Sequence, residues 1–287
     1  MPPWITYTLL TLLVSAPFYF FLRNAGRLED ATARKAGLER AFRQLMWIPG
    51  IVAVGYRAST GLGFADLNFG PGVNPWLLLI AFLFPLAMEF LLIFTTLRLK
   101  LGFLDGNIYG VKDGWVYLSQ EIRLVLGTAK QTPLKFITNL IATVAVAAAF
   151  SLIFSFAEEF GWRGTLQNDL ISRFTLTWGM VIGGLIWGVW HIPAVLSGYK
   201  FPDYPRLGAY VFMPIFTIAA GIITGYLYWL SGSLWVPAIF NASLKVTGLI
   251  SEAALGEGGT SPRVRILWLW LWSAVAGLAL TLWYAGL

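Results

Sequence analysis

Residues 4–22 carry no charged side chain, and runs of similar length and apolarity recur along the chain. About 20 apolar residues in a helix span the ~30 Å hydrocarbon core of a bilayer. Within such a helix every backbone N–H and C=O is satisfied locally, which crossing hydrocarbon demands. Comparable runs lie at about 75–97, 136–157, 176–196, 207–229, 234–250 and 266–284. A shorter run, 45–54, is broken by Pro49 and Gly50 and reads as a tilted or re-entrant helix. The pattern predicts an all-α fold: a polytopic transmembrane helical bundle of about eight helices. A four-helix core, from the fourth to the seventh run, carries the residues capable of chemistry.

Composition supports this reading. The chain is 57% hydrophobic and only 12% charged, against about 25% charged in soluble domains, so it has too little polar surface to cover a globule in water. Its 14 Trp residues suit the membrane–water boundary, where an amphipathic ring satisfies both phases. With no Cys, disulfide and thiolate chemistry are excluded. The first run has no basic segment before it, and Arg23 follows it, so it reads as a first transmembrane helix rather than a cleaved leader.

The net charge of +6 is concentrated in two loops, 23–43 and 98–135, each holding six Lys or Arg. Loop 58–73 has none, although Arg57 borders it. Basic loops stay on the cytoplasmic side, so orientation in the membrane explains the charge, and membrane lipids are the expected surroundings. No basic patch is interleaved with exposed aromatics as nucleic-acid binding requires, and no nucleic-acid partner is expected. If all eight runs cross, both termini lie outside; that parity is lost if 45–54 does not cross. Within the second basic loop, 115–126 is read as an amphipathic interfacial helix.

An ionisable side chain in hydrocarbon costs about 2.5–3.5 kcal/mol on insertion scales, so each one invites a functional hypothesis. The candidates are Glu89, Glu158, Glu159, Arg163, His191 and Lys245. Glu158 and Glu159 are adjacent, so on a helix they point about 100° apart and take different roles. Arg163 stands four residues beyond Glu159, in the favourable order for a helical ion pair. That spacing assigns Arg163 to Glu159 and leaves Glu158 to act as a general base. The same residues also fit a simpler reading, two acids solvated just past a helix end. His191, the one histidine, ends an apolar span just before Pro193. It faces either a cavity or the membrane interface. Asn241 and Lys245 share a helix face at i, i+4, as site donors or, more simply, as interhelical glue and a snorkelling lysine. Glu89 follows Pro85 and is read as a structural partner. One His and no Cys support no metal site, since Zn²⁺ normally takes three protein ligands. No Gly-x-Ser-x-Gly signals a serine nucleophile.

Two segments resemble the motifs of a known family. Glu158-Glu159-Phe160-Gly161-Trp162-Arg163 looks like Glu-Glu-x-x-x-Arg, and Trp187-Gly188-Val189-Trp190-His191 looks like aromatic-x-x-x-His. These are motifs of the CAAX protease and bacteriocin-processing membrane proteins, also called the Abi family, whose best-known branch is the type II CAAX prenyl endopeptidase. The likeness covers about 136–250, between N-terminal helices and loops in 1–135 and a last transmembrane helix in 251–287. It implies an intramembrane glutamate-type peptidase of a prokaryotic cell membrane, without metal or cofactor, acting on a membrane-associated peptide or protein. It implies that Glu158 and His191 activate a water, with Glu159 beside them and with Arg163 and Trp187 in support. The family's third motif, His-x-x-x-Asn, holds the oxyanion, and this chain departs from it. One register puts Asn241 at the His and Lys245 at the Asn; another keeps Asn241 as the Asn and puts Pro237 at the His. Altered donors still suit an oxyanion, which loses about 10²–10³ in rate when one donor is removed. The alternative is a catalytically silent relative that binds a membrane protein partner.

Overall fold

The computed structural model describes residues 1–67, 69, 73–106, 109–119 and 127–286. It is dominated by helices: α1 (Pro3–Gly26), α2 (Ala31–Leu45), α3 (Ile48–Thr60), α4 (Pro75–Arg98), α5 (Pro133–Gly161), α6 (Asn168–Arg173), α7 (Leu176–Leu196), α8 (Met213–Ser231), α9 (Trp235–Leu255) and α10 (Pro262–Tyr284). A widened π-turn, Trp162–Gln167, joins α5 to α6. The expected all-α polytopic bundle is borne out, and every apolar run forms a helix.

Among the described residues, six helical stretches are long and apolar enough to cross a membrane. They are α1, α4, the continuous Pro133–Arg173, α7, the stretch Pro205–Ser231 and α10. The protein is therefore a multi-pass membrane protein. The outward side chains of these spans are large and apolar, among them Leu13, Phe20, Phe94, Phe150 and Trp270. In water they would form a broad apolar surface, whereas lipid solvates them. The interrupted run, α3, has 13 residues, about 20 Å of helix and less than the hydrocarbon thickness.

Two local expectations change. The charged loop 23–43 contains α2, whose N-cap Asp30 accepts a hydrogen bond from the Ala33 amide. Leu38, Ala41, Phe42 and Leu45 are buried along one face, while Lys35, Arg40 and Arg43 are exposed. That is the i, i+3, i+4, i+7 stripe of an amphipathic helix. The interfacial helix expected at 115–126 is corrected at its start. Trp115–Leu118 is strand β2, paired antiparallel with β1 (Tyr109–Lys112) and with β3 (Lys130–Gln131); residues 120–126 lie outside the described ones. Asp113 and Gly114, at φ 52° and 75°, make the two-residue turn that joins Lys112 to Trp115. Such a turn has the twist a hairpin needs. Burial then alternates, with Val116 and Leu118 inside and Trp115 and Tyr117 outside. A period of two selects a strand over a helix.

The chain forms two compact units. The second comprises residues 79–153 and 239–271. Its core gathers Leu86, Val116, Leu118, Leu140 and Val144, with Phe82, Val246 and Ile250 against them. Arg265 pairs with Glu252 at 2.7 Å, and Ser243 donates to the Phe82 carbonyl at 2.7 Å. The first unit comprises 1–78, 154–238 and 272–287. Its centre is the ring cluster of Tyr7, Phe42, Trp162 and Trp190, closed by Leu22, Leu45 and Leu166. In it α7 and α8 approach until backbones touch. A Cβ on Gly184 would lie 2.6 Å from the Thr217 carbonyl oxygen and 2.7 Å from the Ile218 Cα. One on Gly188 would lie 2.5 Å from Thr217 Oγ1. Small residues four apart let helices pack closely where no hydrophobic effect drives them together.

Gly184→Ala is therefore expected to lower the thermal midpoint of the detergent-purified protein, at a cost of about 1–3 kcal/mol from overpacking. Gly183→Ala is the control, because its Cβ would meet Leu170 Cδ1 at an ordinary 3.6 Å. Equal midpoints for the two variants would contradict this account of the α7–α8 contact.

Candidate active site

Glu158 and Glu159 lie in the last turn of α5, and both are fully buried at 0% exposure. Arg163, one residue into the π-turn, is buried at 3%. Its Nη1 lies 3.0 Å from Glu159 Oε2 and 3.1 Å from Oε1. The other guanidinium nitrogen, Nη2, donates to Thr224 Oγ1 of α8. The guanidinium also stands over the Trp187 ring of α7, 4.8 Å from its centroid. One cation thus touches three helices. Burying an ion pair is costly unless further hydrogen bonds satisfy its protons, and Thr224 and the Trp187 face serve that end.

α3 explains why the last turn of α5 is placed so exactly against its neighbours. A Cβ on Gly50 would lie 2.6 Å from the Ala157 carbonyl oxygen, and one on Gly161 would lie 2.5 Å from the Tyr7 hydroxyl and 2.6 Å from Pro49. Tyr7 donates to the Pro49 carbonyl at 2.8 Å. The Pro49-Gly50 break in the second apolar run is the dent that admits the glutamate-bearing turn.

His191 sits on α7, one turn beyond Trp187, and is buried. Its Nδ1 is 2.8 Å from the Trp187 carbonyl oxygen. A carbonyl only accepts, so Nδ1 carries a proton, and in the neutral imidazole Nε2 is then the accepting nitrogen. The ring is held by Phe42 of α2 at 5.2 Å and by Trp190 at 5.0 Å. Trp190 is fixed in turn. Its Nε1 donates to Ser15 Oγ at 2.9 Å, and its carbonyl accepts from the Tyr19 hydroxyl at 3.0 Å. The Trp162 ring packs edge-on against Trp190 at 5.6 Å. Arg163 on Trp187 and Trp162 on Trp190 thus join the glutamate segment to the histidine helix.

Asn241 and Lys245 belong to the second unit, on α9. Lys245 Nζ donates to Asn241 Oδ1 at 3.0 Å, so the i, i+4 face read from the sequence is a formed pair. With Oδ1 accepting from Lys245, the Asn241 amide presents Nδ2 as its donor. Glu89 is buried on α4 of the same unit. Among the described residues, no three His, Cys, Asp or Glu side chains gather as metal ligands would.

Three residues that the sequence reading passed over touch this site. Phe42 was signalled by the Asp30 cap and the apolar stripe of α2. Arg57, buried on α3, donates to the Gly164 carbonyl at 3.2 Å; a cation ending an apolar run was its signal. Thr224 had none, because a threonine in an apolar helix is ordinary.

The fold and the buried constellation define a polytopic helical membrane protein with an ionisable site in its interior. Residues 139–247 match the model of the type II CAAX prenyl endopeptidase Rce1-like proteins. Over 44 residues the chain is 34% identical to CAAX prenyl protease 2 of Methanococcus maripaludis, covering 15% of this chain and 16% of that relative's length. The resemblance read from the two motifs is borne out by these matches.

Arg163→Ala is expected to destabilise the protein by about 3–5 kcal/mol, because it strands a buried carboxylate. Glu158→Ala is expected to cost less. Replacing Glu159 by Gln in the Arg163→Ala background should recover part of the loss, since the remaining group is then neutral. Equal melting temperatures for Arg163→Ala and Glu158→Ala would count against the clamp.

Proposed function

We propose that the protein is an intramembrane glutamate-type endopeptidase that cleaves a membrane-associated peptide or protein. What carries this reading is the meeting of the two motif segments. Arg163 pairs with Glu159 while resting on Trp187, the residue whose carbonyl sets the tautomer of His191. With Glu159 neutralised by its cation, Glu158 is the carboxylate assigned to catalysis. His191 Nε2 accepts one hydrogen of a water, and Glu158 takes its other proton as the water oxygen bonds to the scissile carbonyl carbon. The carbonyl oxygen becomes an oxyanion, a role that the resemblance assigns to the third motif, where this chain carries Asn241 and Lys245 instead of the family's His and Asn. The carbon–nitrogen bond then breaks as Glu158 returns the proton to the leaving amine. No metal or cofactor takes part. Because the similar protein is named a CAAX prenyl protease, prenylated proteins are among the substrates to test.

A second reading rests on the departed third motif. A chain with Asn241 and Lys245 in place of the family pair suits a silent relative that retains the fold and binds a membrane protein partner.

Purified protein in detergent, assayed against a library of membrane-associated peptides, is expected to show cleavage that Glu158→Ala abolishes and that chelators leave intact. Asn241→His with Lys245→Asn then separates the two readings. Loss of cleavage in that double variant supports a working hole built from Asn241 and Lys245. A wild type without activity that gains it in the double variant supports the silent relative.

A further inference from the structure

Arg57 is buried in α3 at 3% exposure, and its guanidinium joins three parts of the first unit. Nε donates to the Gly63 carbonyl at 2.8 Å, Nη1 donates to the Gly164 carbonyl at 3.2 Å, and Nη2 pairs with Asp66. The Phe64 ring lies 5.8 Å from the guanidinium carbon. Gly61 and Gly63 take left-handed φ values of 72° and 61°, which bend the chain back from the end of α3 toward its own Arg57. Phe64 and Phe69 then stack on Phe160, the residue after Glu159, at 6.3 and 6.0 Å. The Trp235 indole holds the Phe69 carbonyl at 3.1 Å.

The target of Nη1 carries the argument. Gly164 lies inside the π-turn that also holds Arg163. A π-turn inserts a residue into the helical ladder and is costly, so it persists only where neighbours hold it, frequently at functional sites. Gly164 O accepts from Arg57 and, at 3.3 Å, from the Asn168 side-chain amide. α3 is seated on the same segment one step earlier, where Gly50 touches Ala157. Seven residues further along both chains, Arg57 reaches Gly164, so the short helix braces the glutamate segment at both ends.

We propose that Arg57, anchored by Asp66, is a positioning residue. It holds the widened turn Trp162–Gln167, and so keeps Arg163 where it grips Glu159 and Trp187. The kinetic consequence rests on the peptidase reading above; the structural part does not.

The test uses the full-length protein with Arg57→Ala, Arg57→Lys and Asp66→Asn. Asp66 is half exposed, so its amide variant leaves no cavity and folds even if Arg57→Ala does not. Two quantities are read: hydrogen exchange of the amides at 162–168, and kcat and KM for the best peptide from the library. Arg57→Ala and Asp66→Asn are expected to speed exchange at 162–168 about tenfold or more, the scale of one lost charge-assisted hydrogen bond, and to leave α7 unchanged. Both should lower kcat about tenfold with KM within about twofold. Arg57→Lys should recover little, because a point ammonium cannot serve three acceptors as the planar fork does. Unchanged exchange in Arg57→Ala and Asp66→Asn, a raised KM with kcat kept, or wild-type behaviour in Arg57→Lys overturns the proposal. If the wild type cleaves nothing, the peptidase reading fails by itself. Exchange still decides the brace: faster at 162–168 supports it, unchanged overturns it.

Discussion

A carboxylate and a guanidinium buried together in a membrane protein constrain everything packed around them. Glu159 and Arg163 are 0% and 3% exposed, so protein partners must offset their desolvation. The pair survives because its surroundings complete it: Thr224 accepts from the second guanidinium nitrogen, and Trp187 offers its ring face. Those partners come from α8 and α7. Their placement depends on Gly184 and Gly188, which let the two helices pack backbone to backbone. The turn that carries Arg163 is widened, and α3 supports it from the other side through Pro49, Gly50 and Arg57. A single buried charge pair thereby fixes the relation of α3, α5, α7 and α8 within the first unit.

This arrangement suggests a division of labour between adjacent acids. Two neighbouring carboxylates with the same environment would repel each other and duplicate each other's role. Here Arg163 hydrogen-bonds Glu159, which stands four residues before it on the same helical face. The histidine is handled in a similar way. Its Nδ1 is engaged by its own helix through the Trp187 carbonyl. Phe42 and Trp190 limit the ring's freedom to turn. On the proposed peptidase reading, each of these contacts helps to preorganise the site.

Much of this was legible in the sequence because hydrocarbon allows so few solutions. Charge-free runs had to be helices, and each of them is. The Glu159–Arg163 pair and the shared face of Asn241 and Lys245 followed from helical spacing, since residues four apart share a face. What was harder to read lies where charge or short length conceals a pattern. α2 is dense in Arg and Lys, yet Leu38, Ala41, Phe42 and Leu45 form its buried stripe, and Phe42 packs against His191. Residues 115–118 carry enough apolar side chains for a helix, but the Asp113-Gly114 turn sets their period at two. The π-turn at 162–167 and the contact between Thr224 and Arg163 depend on tertiary packing, and no local propensity announces either.

The central claim is that Glu158 and His191 act on one water. The direct measurement is a kinetic double-mutant cycle on peptide cleavage in reconstituted vesicles, with Glu158→Gln, His191→Gln and the double variant, each confirmed as folded by its melting temperature. Groups that act as a unit are strongly non-additive. The account predicts that the double variant is no slower than the slower single variant. Rate losses that multiply in the double variant, or cleavage that persists in Glu158→Gln, would contradict it.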